Sequence, residues 1–155
     1  MPPRQPHARI LTAVLLALTL AALSGYGGVA AAYEGQRVPL ARQVNCDCFT
    51  GGQTTPTTNG AAIIRVTDDG ALRATVTLKN ALPNTTYNVR LIQVPSGADC
   101  GTLDGTLTTN AQGNGTLAVT EPLLAGTTGA FVVLNAVGFT AERDYYTTVN
   151  ANLGR

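Results

Sequence analysis

The sequence predicts an all-β protein, an antiparallel β-sandwich of about seven short strands, and three observations predict it. Apolar and polar residues alternate with period two in several windows after Ala61, as half-buried strands require. Clusters of Gly, Asn and Asp separate those windows at regular intervals. No window of comparable length carries a helical period, and the background is rich in Thr.

The first element is an export signal over residues 1–32. Arg4 and Arg9 give a positive start, Ile10 to Leu23 form an apolar run of 14 residues, and Ser24, Gly25, Gly27 and Gly28 break it. Ala30 and Ala32 supply the two small positions of a signal-peptidase site, with the cut after Ala32. Fourteen apolar residues are short for a membrane span, so the segment holds the chain to a membrane only if it stays uncleaved. The expected mature protein, residues 33–155, is secreted to the medium or held at the cell envelope. Nine Arg against one Lys, with abundant Ala, Gly and Thr, is the bias of a high-GC bacterial genome.

Residues 33–60 show no sustained period. They read as a Cys-containing segment followed by a Thr/Pro/Gly linker, with a short strand over 37–44 that Pro39 would confine to a sheet edge. The sandwich domain then spans 61–155. A strand from Ala62 to Thr67 turns through Asp68-Asp69-Gly70 into Ala71 to Lys79, where Arg73, Thr75, Thr77 and Lys79 face water. Thr86 to Val94 sets Tyr87, Val89 and Leu91 on one face against Asn88 and Arg90. Thr102 to Thr108 and Thr116 to Thr120 flank Asn110 to Gly115 and read as a second hairpin. Ala130 to Val137 is nearly all apolar, the mark of a central strand buried on both faces, and Tyr145 to Leu153 closes the chain as one alternating strand.

Leu82-Pro83-Asn84-Thr85-Thr86-Tyr87-Asn88-Val89 resembles the L-P-x-T-x-Y-x-V corner of fibronectin type III and related immunoglobulin-like domains. The resemblance implies a Greek-key sandwich in which the Tyr87 hydroxyl bonds back to main chain a few residues earlier and Leu82 packs in the core. More loosely, a corner, a Cys-containing loop and a T-x-x-x-G-x-G hairpin resemble small secreted bacterial β-sandwich proteins. That implies location and shape, with no cofactor and no catalytic residue.

Chemistry is constrained by what the chain lacks. Its single His, His7, falls in the export signal, so the mature chain offers no imidazole for a triad, a metal site or acid–base work. Residues 33–155 carry eight basic and nine acidic side chains, a net charge of −1, and the basic ones lie singly along the chain, which argues against nucleic acid. Cys46, Cys48 and Cys100 all belong to the exported part, where disulfides persist. Cys46 and Cys48 stand too close to bridge each other, so one of them pairs with Cys100; Cys48 is preferred because Phe49 beside it can pack on the sandwich. The odd thiol is then free or links two chains. Structural zinc is disfavoured because C-x-C with one distant Cys lacks its spacing. Asp68 with Asp69, or Asp99 with Asp104, could offer oxygens to calcium, but neither reproduces the D-x-[DN]-x-[DN]-G loop and turn-forming Asp is the commoner explanation.

Two function classes follow. The favoured one is an exported, non-enzymatic structural or binding module of the envelope or medium, with a protein or glycan partner. The alternative is a small secreted hydrolase using two carboxylates among Glu121, Glu142 and Asp144, which requires a pocket that holds both.

Overall fold

The computed structural model describes residues 35–43, 51–52, 57–97, 100–138 and 145–154. Contacts divide the chain into residues 1–31 and 32–155, and every described residue belongs to the second unit. Among the described residues there is no helix, and nine strands occur. They are β1 (Gln36–Arg42), β2 (Gly60–Val66), β3 (Ala71–Leu78), β4 (Thr86–Val94), β5 (Gly105–Thr108), β6 (Gly115–Pro122), β7 (Gly129–Ala136), β8 (Tyr145–Thr148) and β9 (Ala151–Asn152).

All pairings are antiparallel, in the order β5-β4-β7-β8-β1-β2-β3-β6, with β9 added to β7. The ends of this path, β5 and β6, lie against each other, so the sheet nearly closes on itself. Closure of this kind leaves little strand edge for unwanted pairing.

Alternation decides what faces inward. In β3, Leu72, Ala74, Val76 and Leu78 are buried while the residues between them are half-buried. They meet Val38, Leu40, Ala62 and Ile64 from β1 and β2, and Tyr87, Val89, Leu91, Val132, Leu134 and Tyr146 from the opposite wall. A second, smaller cluster of Ile92, Val94, Phe131, Val133 and Tyr145 occupies the other side of β4, β7 and β8, with Cys100 packed against it. This is why β7 reads as a nearly all-apolar run: both of its faces are covered except at Asn135.

Three elements differ from the sequence expectation. β1 is not an edge strand: Gln36 to Pro39 pair with β2, and Leu40 to Arg42 pair with β8. Pro39, which has no N–H to donate, sits where the strand changes partner, the one interior place where that loss is cheap.

The expected second hairpin is a turn without a ladder. Gly113 N–H bonds Asn110 O at 2.9 Å, yet β5 pairs with β4 and β6 with β3. Turn residues dictate a reversal of direction, and here the free edges of β3 and β4 claim the strands on either side. Gly113 has φ +73°, and a Cβ there would stand 2.1 Å from Ala81 O, so the turn also needs glycine to dock.

The C-terminal strand is two strands broken at Val149-Asn150. All four residues of β8 are buried because Tyr145 faces the second cluster while Tyr146 faces the main core.

Candidate functional site

The most distinctive surface follows from the register of β1, β2 and β3. Since Ala62, Ile64, Ala74 and Val76 point into the core, Ala61, Ile63, Arg65, Arg73, Thr75 and Thr77 take the outer face. Arg65 then lies directly opposite Arg73, Ile63 opposite Thr75, and Arg37 of β1 opposite Ile63. Lys79 follows at the end of β3. The four cations that are dispersed along the sequence thus share one face, and no outward position of β1, β2, β3 or β6 holds a carboxylate.

Two like charges directly opposed across a ladder cost a few tenths to about 1 kcal/mol. None of Arg37, Arg65, Arg73 and Lys79 makes an ion pair among the described residues. At one end of this face lies a hollow of about 380 Å³ lined by Arg37 and Lys79 together with Ala61, Ile63, Thr75 and Thr77. Ile63 is 45% exposed, a large apolar side chain left bare in the middle of the face. Basic residues that lie singly along the chain are thus brought onto one face by the antiparallel pairing. Arg90, in contrast, donates to the Asn135 side chain on the far wall.

Of the carboxylates that suggested calcium or acid catalysis, Asp69, Asp104 and Glu121 make hydrogen bonds within the frame. Asp69 accepts a hydrogen bond from the Thr67 hydroxyl in the β2–β3 loop, which holds its carboxyl below the ordinary aspartate range. Gly70, at φ +81°, lets that loop close, and Thr67 N–H reaches Ala71 O at 2.8 Å. Asp104 accepts the Leu91 N–H at 2.6 Å, ending the β4 ladder beyond β5. Glu121 is 8% exposed, and its Oε1 accepts from Gln93 Nε2 at 3.0 Å. Glu142, Asp144 and Asp99 lie outside the described residues, and among the described residues no three potential ligands cluster for a metal.

At the corner, the Tyr87 hydroxyl accepts the Leu82 N–H at 3.2 Å, five residues back. The fully buried Tyr87 ring meets the Tyr146 ring edge-on, with centroids 5.8 Å apart. Leu82 itself is half-buried, so its main chain rather than its side chain makes the corner. Thr109, which sequence reasoning passed over, completes it: the hydroxyl donates to Leu82 O at 2.6 Å and accepts the Thr85 N–H at 3.0 Å.

Gln93 was passed over as well. It is fully buried, and nothing in an alternating window marks a polar residue among apolar neighbours as the hub of a network. Cys100 is half-buried against the second cluster; Cys46, Cys48, Ala30 and Ala32 lie outside the described residues. Compared with protein families, curated proteins and solved structures, the chain shows no match.

Proposed function

We propose that the mature chain is an exported, non-enzymatic binding module of the cell envelope or medium, an immunoglobulin-like Greek-key sandwich that offers its β1–β2–β3 face to an anionic partner. The observation that carries this reading is the gathering of Arg37, Arg65, Arg73 and Lys79 on one face without a carboxylate among them. Charge left unneutralised on a rigid sheet favours an anion brought by another molecule. The Greek-key part is supported by β3 lying beside β6 and β4 beside β7, with two strands intervening in each case. A bridge from Cys48 or Cys46 to Cys100 belongs to the same reading and is supported by the disulfide state of the Cys100 sulfur. The third thiol then remains for a small reagent or a second chain.

Two measurements test this. At pH 7 the expected mature chain has a net charge of −1, so a uniformly charged protein of that kind would pass a cation exchanger. Retention at low salt is expected, together with its loss in Arg65→Gln/Arg73→Gln and its persistence in the charge-matched Arg42→Gln/Arg90→Gln. Passage of the unaltered protein, or equal loss in both pairs, overturns the binding face. Intact mass of the secreted protein without reductant should begin at Tyr33 and show one bridge; residues 1–32 retained, or three free thiols, overturns the exported, bridged form.

A further inference from the structure

Resting on the reading of the β1–β2–β3 face as a binding face, we propose that its partner is an acidic polysaccharide. A single chain of it crosses the hollow beside Arg37 and Lys79 and runs on along the face to Arg65 and Arg73, with its anionic groups against these four and its hydroxyls against Thr75 and Thr77. Three properties of the face select this chemistry among polyanions.

The first is the company the cations keep. Thr75 and Thr77 stand between Arg73 and Lys79 on β3, and their hydroxyls make no hydrogen bond among the described residues. A guanidinium fork opposite a second guanidinium is a ready seat for a carboxylate held bidentately, which also removes the repulsion between Arg65 and Arg73. Alternating cations and hydroxyls match a polymer that alternates anionic groups and hydroxyls.

The second is the absence of rings. Tyr87, Phe131, Tyr145 and Tyr146 are all buried, so the described part of this face has no platform on which a base could stack. Single-stranded nucleic acid draws much of its affinity from such stacking. Four cations alone would give it a weak, wholly salt-dependent grip.

The third is shape. Ala61 is only 6% exposed although it points outward, and it lines the hollow together with Arg37 and Lys79. The strands that carry those two residues are two spacings apart, about 10 Å. A trough of that width admits one extended polymer chain, whereas the flat surface of a bilayer cannot reach its floor.

The secreted protein is titrated by amide NMR with an oligomer of galacturonic acid, its methyl ester, an oligothymidylate of equal charge, and vesicles containing anionic phospholipid. The acid oligomer should bind and shift the amides of Ile63, Thr75 and Thr77, with the methyl ester weaker by about tenfold or more. Thr75→Val/Thr77→Val should weaken the acid oligomer and leave oligothymidylate unchanged, with melting curves confirming that both variants fold. Arg65→Gln/Arg73→Gln should flatten the dependence of log K on log salt.

Oligothymidylate or vesicles binding as tightly as the acid oligomer, with no effect of the Thr variants, overturns the polysaccharide and leaves the binding face standing. Retention on the cation exchanger without binding of the acid oligomer likewise overturns this inference alone. Failure of both overturns the binding face with it.

Discussion

Replacing Gln93 by Leu should be among the most damaging single changes in this protein, although the substitution is apolar, of similar size and buried. Gln93 Nε2 donates to Glu121 Oε1 at 3.0 Å and to Pro122 O at 2.9 Å. Its Oε1 accepts Leu124 N–H at 3.0 Å and the Thr127 hydroxyl at 2.7 Å. All four bonding positions of the amide are thereby used, and they tie β4 to the end of β6 and to the segment leading into β7. In Gln93→Leu, water can reach Pro122 and Leu124, which are exposed, but Glu121 and Thr127 are 8% and 5% exposed. The Thr127 hydroxyl loses its buried acceptor, at about 1–3 kcal/mol, and the Glu121 carboxylate loses one hydrogen bond, worth about 1.5–3 kcal/mol to a charged group, so a loss of roughly 4 kcal/mol is expected. For a domain of this size that is a drop in Tm on the order of 15 °C. Thr127→Val removes one bond and leaves Gln93 Oε1 its Leu124 donor, so about 1 kcal/mol is expected. Urea unfolding followed by far-ultraviolet circular dichroism measures both. A loss below about 1 kcal/mol in Gln93→Leu would show that the end of β6 simply moves out to solvent and that the network is incidental.

Two further outcomes follow from the corner and the β2–β3 loop. Tyr87→Phe removes the acceptor of the Leu82 N–H while keeping the ring against Tyr146, and should lower stability by about 1 kcal/mol with the fold retained; an unchanged urea midpoint would remove the corner role. Thr67→Val should let the Asp69 carboxyl rise toward the ordinary aspartate range, read by NMR titration of its side chain, and an unmoved titration would assign the depression to another group. Because the folded carboxyl titrates below the unfolded one, its contribution to the loop is present above the usual aspartate range and fades as pH falls through the lower folded value.

What could be read in advance is what a single strand says about itself. The alternation of Leu72 to Leu78, the face bearing Tyr87, Val89 and Leu91, and the doubly buried run of β7 each follow from local period, because burial on one or two faces writes itself directly into the residue order. What stayed hidden depends on which strands meet. Pro39 marks a change of partner rather than an edge, and nothing around it announces β8, more than a hundred residues later. Asn110 to Asn114 encode a reversal of direction, but whether β5 and β6 pair with each other is settled by the open edges of β3 and β4. The candidate site was illegible for the same reason. Arg65 and Arg73 are separated by a turn and look unrelated until the register sets them opposite each other, and Gln93 finds its four partners 28 to 34 residues away.

The two outer surfaces of the sheet are treated in opposite ways, and the difference bears on where a partner can bind. On the β4–β7–β8 side, part of the outer face is apolar and buried: Ile92, Val94, Phe131, Val133 and Tyr145 form a second core with Cys100 packed on it, beyond which Arg90 pairs with Asn135. Apolar side chains buried in this way leave that part of the face closed to other molecules. On the β1–β2–β3 side the same alternation places Arg, Lys and Thr outward, with one bare Ile. Nothing in the inner packing requires this asymmetry, since both walls contribute similar aliphatic residues to the main core. A fold needing only solubility would intersperse carboxylates among those cations, which lowers repulsion at no cost to the core. Leaving them unmixed keeps Arg65 and Arg73 opposed, and among the described residues no outward position of β1, β2, β3 or β6 offers a carboxylate that would relieve them.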